Sequence, residues 1–193
     1  MTTLCSYVLT KDTGLAPNPF WGTCTLAVCT PNRQGAIVDF GDWIAGFSPA
    51  CDGSKLIYAM QLSGRVHMND YFNDPRFALK KPNLRGTWEQ RCGDNFYSRA
   101  HDGTWTQHRN RFHIGAEYRA KDTRNPLVFV SQSFWYFGAA AAPVPPIFRR
   151  LVGTRGIRVN HPPDLVLAFL DWLRSSHTAG SHGTPRHNPD RPS

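Results

Sequence analysis

Several common signatures are missing from this 193-residue chain, and their absence narrows what it can do. No apolar run approaches the roughly 18–20 residues needed to cross a bilayer, because Pro, Gly or charge interrupts each candidate. Met1-Thr2-Thr3-Leu4 has neither the basic nor the apolar segment of a secretory leader, so the expected compartment is the cytoplasm, with no membrane partner. No Cys-x-x-Cys pair occurs among Cys5, Cys24, Cys29, Cys51 and Cys92. Cys24 and Cys29 lack a matching downstream pair, so reduced core thiols are expected, with no metal or cofactor site. Local signatures of phosphate-loop, nucleophile-elbow, dinucleotide-fold and zincin chemistry are also missing. Catalytic residues are therefore not assignable from motifs alone.

Acidic charge is scarce, and the net charge is +8. Residues 80–124 carry ten basic against five acidic side chains, together with Trp88, Phe96, Tyr97, Trp105, Phe112 and Tyr118. Arginine outnumbers lysine there, which suits bidentate phosphate contacts, while rings can stack on bases. The pattern predicts a nucleic-acid or nucleotide partner, with Arg76, Lys80, Lys81, Arg85, Arg99, Arg109 and Arg111 on the phosphates.

Helical periodicity is equally sparse. Only Pro163-Asp164 opens a convincing helix, over about 163–175, with Leu165, Ala168, Phe169, Trp172 and Leu173 as its core stripe. Most other structured runs are β-prone: 7–10, 24–29, 41–47, 55–62 (continuing past Gly64 through a bulge), 127–131 and 134–138. Asn69 to Asp74 reads as a short helix stopped by Pro75, and Asp102-Gly103 as the turn of a hairpin. The segment 109–125 has no clear period. Residues 176–193 read as a disordered basic tail after a single domain over 1–175. The expected fold is α+β and strand-dominated, a curved sheet or small barrel with a few peripheral helices.

The opening is the most informative stretch. Residues 7–10 and 24–29 flank a loop stiffened by Pro17 and Pro19 and turned at Gly14 and Gly22, suggesting a hairpin-like unit. It presents Lys11, Asp12, Asn18, Phe20 and Trp21, a mixture suited to recognition. Gly41-Asp42-Trp43-Ile44, followed by Leu56-Ile57-Tyr58-Ala59-Met60, resembles PUA-like folds of the EVE and YTH kind. That resemblance implies an extruded, often modified base docked among aromatics. Trp21, Trp43, Phe47, Tyr58 and Phe134 to Phe137 are then the ring candidates, with Asp12, Asn18 and Asp42 reading the base edge.

The ordered set Thr10-Lys11-Asp12-Thr13-Gly14, Ala16-Pro17-Asn18-Pro19-Phe20, Cys24-Thr25-Leu26-Ala27, Gly41-Asp42-Trp43-Ile44, Leu56-Ile57-Tyr58-Ala59-Met60, Tyr71-Phe72, Asp74-Pro75-Arg76-Phe77, Cys92-Gly93-Asp94-Asn95 and Phe134 to Gly138 resembles the nucleotide modification associated domain 2 (Nmad2) family over about 7–146. The resemblance implies a role in systems that modify or restrict DNA bases. Two function classes lead, with a partner-binding module of a defence or mobile-element system as a third reading. One is a binding domain for a modified base, using Lys11, Asp12, Asn18, Phe20, Trp21, Asp42, Trp43 and Tyr58. The other is an enzyme on a base or nucleotide, with Asp12, Asp42 or Asp94 and His101, His108 or His113 as acid–base groups. Arg124-Asn125-Pro126 stands where a carboxylate-rich stretch is expected, which argues against a catalytic role there.

Overall fold

A computed structural model describes residues 2–28, 30–153 and 156–188. Cys29, of the spacing considered for zinc, lies outside them. Eleven strands are described: β1 (Leu4–Val8), β2 (Cys24–Leu26), β3 (Trp43–Phe47), β4 (Leu56–Gln61), β5 (Gly64–His67), β6 (Tyr97–Arg99), β7 (Trp105–Gln107), β8 (Leu127–Ser131), β9 (Ser133–Tyr136), β10 (Ile157–Arg158) and β11 (Gly180–Ser181). The α-helices are α1 (Thr30–Arg33), α2 (Met68–Asn73), α3 (Trp88–Arg91), α4 (Ala116–Asp122) and α5 (Pro163–Ser176). The class is α+β.

The strands form a mixed six-stranded sheet in the order β10-β1-β3-β4-β9-β11, an antiparallel sheet β2-β8-β5, and the hairpin β6-β7. Sidedness in the large sheet follows strand alternation. Leu4, Trp43, Ala45, Trp135 and Phe137 point to one side, where α5 and the 3-10 segment Pro146–Leu151 cover them. Cys5, Tyr7, Ile44, Met60, Phe134 and Tyr136 point to the other and pack on Cys24, Leu26 and Phe129 of the small sheet. Covered on both faces, β3 and β4 are buried almost throughout, which is why they read as unbroken apolar runs. The small sheet's outer face holds Val128 and Val130 against Met68, Tyr71, Phe77, Phe96 and Tyr97, so α2 and the hairpin form the last layer.

Four expectations change. The opening runs do not pair with each other: β1 lies parallel to β3, and β2 pairs with β8. A parallel neighbour requires a crossover, so the loop, β2 and α1 become that crossover rather than a hairpin. The run past Gly64 is not a bulged continuation of β4, because β5 pairs with β8 in the second sheet. No barrel closes, since β10 and β11 are edges of an open sheet. The helix stripe is rotated from the predicted one: Val166 and Leu170 are buried, while Ala168 faces solvent. The α2 helix stopped before Pro75 and the hairpin around Asp102-Gly103 form as expected, and α4 occupies the stretch without a clear period.

The C-terminal segment expected to be disordered is packed as far as Asn188. β11 runs parallel to β9, the amide of Ala139 donates to Thr184 O (2.8 Å), and that of His182 donates to Tyr136 O (2.7 Å). Its polar residues satisfy buried groups instead of water. The amides of Arg186 and His187 donate to Asp12 Oδ2 (3.2 Å) and Asp12 O (2.7 Å). Asn188 donates to Thr13 O (3.0 Å). Gly138 has φ +55°, and a Cβ there would overlap Thr184 O, so this glycine keeps the strap close. Composition signals disorder only when a segment cannot bury its backbone elsewhere, and here an existing sheet edge accepts it.

Removing residues 177–193 leaves Asp12 and the β9 edge without these partners and is expected to lower unfolding stability by about 2–4 kcal/mol in urea titration. Arg186→Ala removes only the half-exposed pair with Asp52 (2.9 Å) and is expected to cost less than about 1 kcal/mol. Equal losses from the two changes would refute the assignment of the strap's stability to its backbone contacts.

Candidate functional site

The opening loop is held from beneath by buried polar groups. Lys80 is 3% exposed, and its Nζ donates to Asn18 O (2.9 Å), Asn18 Oδ1 (2.8 Å) and Thr23 O (2.6 Å). Asn18 in turn donates to Gly14 O and Cys92 O, both at 3.0 Å. Beside this cage, Asp94 accepts from Thr25 and Tyr71 hydroxyls at 2.7 Å, and Asn95 donates to Tyr71 O and Phe77 O. Asp12 is fully buried, and Tyr136 OH lies 2.8–2.9 Å from both carboxylate oxygens. Burial raises the pKa of Asp12 and of Asp94, against the lowering effects of Tyr136 on the first and Lys80 on the second.

These positions overturn part of the expected site. Asp12 and Asn18 are scaffold groups facing inward, not readers of a base edge. Lys80 cannot reach a phosphate. Trp43 and Tyr58 are core: Trp43 packs on Trp135 (5.5 Å) and Tyr58 OH bonds Tyr7 OH (2.8 Å). Phe47 and Phe134 to Phe137 are buried with them. Asp42 secures a turn, accepting from the amides of Thr3 (2.8 Å) and Asp39 (3.0 Å). Lys11 is exposed, and Phe20, Trp21 and Asp42 are half-buried, so these four of that set remain at the surface. Trp21 has φ +57° and packs edge-on to Phe20, which meets Trp88 in the same way.

Of the basic residues assigned to phosphates, Arg76, Lys81, Arg85, Arg99 and Arg109 are exposed and Arg111 half-buried. Arg76 is paired with Asp74 (2.6 Å), Lys81 lies over the Phe72 ring (3.9 Å), and Arg99 binds Gly103 O (2.9 Å). Among the histidines, His101 is exposed in the hairpin turn, and His108 stacks on Phe72 (4.6 Å) against Ser98 Oγ (2.8 Å). Burial, then Lys81, lower the pKa of His108.

His113 is different. Its Nδ1 lies 2.6 Å from Asp122 Oδ2, a carboxylate with no exposure that also accepts from Tyr97 OH (3.0 Å). His113 lines a cleft of about 250 Å³ with Lys11, Thr13, Leu15, Thr30, Phe112, Tyr118 and the end of β1. α4 supplies both Tyr118 and Asp122, so one short helix sets a wall of the cleft and the partner of its imidazole. A seven-residue helix opened by Gly115 leaves too few turns for a periodic signal, and a nine-residue spacing marks no motif. A second serine–histidine pair has no nucleophile geometry: Ser6 Oγ donates to Leu151 O (2.6 Å), so its contact with His161 Nε2 (3.0 Å) is as acceptor. Among the described residues no group of three or more His, Cys, Asp or Glu side chains is placed to hold a metal ion, and no helix is long and apolar enough to cross a membrane.

Asp12, Asn18, Thr25, Tyr71, Cys92, Asp94, Asn95 and Tyr136, which form the buried polar contacts around the loop, are motif residues noted in sequence. The chain matches the model of nucleotide modification associated domain 2 over residues 1–190. It belongs to the Nmad2 family. The match extends across the strap, consistent with the strap being part of the Nmad2 domain. No curated protein and no solved structure matches the chain.

Burial lowers the Lys80 pKa from 10.5 to about 8, while Asp94 works against the shift. Above about pH 8 the unfolded chain holds a proton that the fold has released, so stability rises with pH, by up to about 1.4 kcal/mol per unit. Cys5, Cys24 and Cys92 act oppositely: burial pushes each thiol from 9.0 to about 12, so above pH 9 only the unfolded chain ionises them. Between pH 8 and 9 the three thiols nearly cancel the lysine, so urea midpoints are expected to stay level to about pH 9 and to decline beyond it. Lys80→Met, which removes the lysine's contribution, is expected to show the decline from about pH 8 and to lose about 2–4 kcal/mol, because it takes their donor from Asn18 Oδ1 and Thr23 O.

Proposed function

We propose that this Nmad2 domain binds a nucleotide, free or within nucleic acid, in the cleft between the end of β1 and the Phe112–Tyr118 segment. One observation carries the reading: Lys11, the rings of Phe112 and Tyr118, and a histidine backed by a buried carboxylate converge on a space of about 250 Å³. That volume is near the lower end of small-molecule pockets, about 300–1,000 Å³, and suits a base or nucleoside. The chemistry supports the same ligand: an ammonium attracts phosphate, rings stack on a base, and few polar groups orient it. Exposed Arg109 lies on an adjoining surface with Arg111 and His113, so a polynucleotide backbone continues past the cleft along basic residues.

Within that reading the ligand is a modified base of DNA, met in a modification, restriction or defence setting in the cytoplasm. The support is the family and the basic surface. The aromatic frame is smaller than the sequence implied and is built from Phe112 and Tyr118 rather than Trp43 and Tyr58. Nothing in the open three-sheet architecture favours the PUA-like likeness.

A second reading, an enzyme on the same ligand, is favoured by the His113–Asp122 pair, which has the orientation of a general base and its positioning carboxylate. Asp12, Asp42 and Asp94 play no such part, being held by Tyr136, by backbone amides, and by Thr25 and Tyr71. Incubation with DNA followed by nucleoside mass spectrometry separates the two: a changed base supports catalysis, an unchanged one supports a reader.

Calorimetric titration with nucleoside 5′-monophosphates and a short single-stranded DNA is expected to show binding that weakens as salt rises. Lys11→Glu and Tyr118→Ala are each expected to weaken it about tenfold or more, corresponding to loss of one charge-assisted or stacking contact. Affinity indifferent to salt and to both substitutions would overturn the assignment of the cleft.

A further inference from the structure

We propose that the ligand of the cleft is a single strand of nucleic acid rather than a free nucleotide, and that the groove beside the cleft seats the neighbouring nucleotide. The inference rests on the cleft being the nucleotide site and names the form in which that nucleotide arrives. The groove encloses about 480 Å³ between Leu84 and the stretch from the end of β7 to the start of α4. It is larger than the cleft and falls within the usual range of ligand pockets.

One turn of chain divides the two spaces. His113 lines both. Phe112 lines the cleft, Arg111 lines the groove, and the Arg111 guanidinium lies over the Phe112 ring at 5.8 Å. The turn is held from within. Buried Asn110 accepts from the amides of Phe112 (3.2 Å) and His113 (2.7 Å), and Gln107 donates to His113 O (2.6 Å). A ridge of residues 111–113 is therefore fixed between two cavities that share a wall. Adjacent nucleotides of one strand, joined by one phosphate, match that arrangement, with the phosphate crossing the ridge beside Arg111.

The lining of the groove fits the same occupant. Among the described residues no acidic side chain lines it, while Arg109 and Arg111 do. Arg109 is exposed and makes no ion pair with any described residue. Ile114 is 71% exposed, an apolar side chain left in water beside the two cations. Guanidinium groups next to apolar surface take a phosphate at an edge and a base on a face. The aromatic hollow between Phe20–Trp21 and β11 differs on both counts. It has no charged lining residue and shares none with the cleft, so the strand runs towards Arg109 and not towards Trp21.

Strandedness follows from the two seats. A base in the cleft has left its stack, and a neighbour in the groove has left it as well. A duplex must break two adjacent pairs to fill both, whereas a single strand breaks none.

The test titrates, for each of the four DNA bases, the nucleoside 5′-monophosphate, the 5′-diphosphate and the 5′-phosphorylated dinucleotide. The diphosphate adds charge without a second base. At least one dinucleotide is expected to bind about tenfold or more tighter than its monophosphate, and the matching diphosphate to gain less than about threefold. Ile114→Asp alters an exposed position and is expected to remove the dinucleotide's gain, while Tyr118→Ala still weakens what remains. Arg109→Ser is expected to reduce the gain and its salt dependence. A short blunt duplex is expected to bind about tenfold or more weakly than either of its separated strands. A dinucleotide no tighter than the diphosphate, or a gain untouched by Ile114→Asp, overturns the groove and leaves the cleft intact where binding still responds to Tyr118→Ala. An Ile114-dependent complex with a Glu-rich peptide in place of that gain assigns the groove to a protein partner and likewise overturns it. Duplex binding equal to that of the strands overturns the single-stranded ligand. Binding of none of these nucleotides, or binding insensitive to Lys11 and Tyr118, overturns the cleft itself and this inference with it.

Discussion

A single ammonium holds the site together. Lys80 is taken out of water at the cost of a lowered pKa, and it is tolerated because three oxygens of one loop meet it. Two of those oxygens belong to Asn18, whose amide then spans to Gly14 and Cys92. A half-satisfied arrangement of this kind would be worse than an apolar one, so the network forms as a whole or fails as a whole. The loop's shape is thereby fixed by a residue 62 positions away. Residues 13–16 can form one wall of a cleft because residues 18–23 cannot move.

The layers distribute the work. The large sheet, buried on both faces, supplies rigidity and ends at Val8, where the chain turns into the cleft. The small sheet and α2 carry the polar cage through Thr25 and Tyr71. The cleft's side chains are left to short pieces at the periphery: a lysine on the loop, an imidazole before α4, and rings on either side of it. Rigid elements beneath and short segments above is a common way to combine precise placement with access for a ligand.

The strands of this fold were largely legible, because β-branched and aromatic runs bounded by Gly, Pro and Asp mark them locally. Their pairing was not. Tyr7–Thr10 and Cys24–Cys29 look like hairpin partners, yet β1 chose β3 and β2 chose β8, since burying both faces of β3 outweighs local closure. The site was half legible. Asp12 and Asn18 read as contacts to a base and Lys80 as a contact to a phosphate, because the same pattern fits a polar residue facing a ligand and one facing a buried partner. Trp43 and Tyr58 failed for the mirrored reason, that an aromatic in a strand is indistinguishable in sequence from an aromatic in a pocket. His113 was visible and Asp122 lay near it, while the pairing depended on a helix too short to announce itself.

The strap has a consequence for the order in which this molecule comes together. The amides of Arg186 and His187 close on Asp12, and Asn188 closes on Thr13, across about 175 residues of chain. Residues 11–13 therefore cannot reach their final surroundings until residues 186–188 have left the ribosome. The earliest-made part of the cleft is also the last to be completed, and the buried carboxylate of Asp12 waits on Tyr136 and the strap through nearly the whole of synthesis. Long-range closure of this sort slows folding, because loop entropy is lost before its contacts are gained. A nascent chain arrested before the strap would carry every strand of the core except β11 and still lack a finished site.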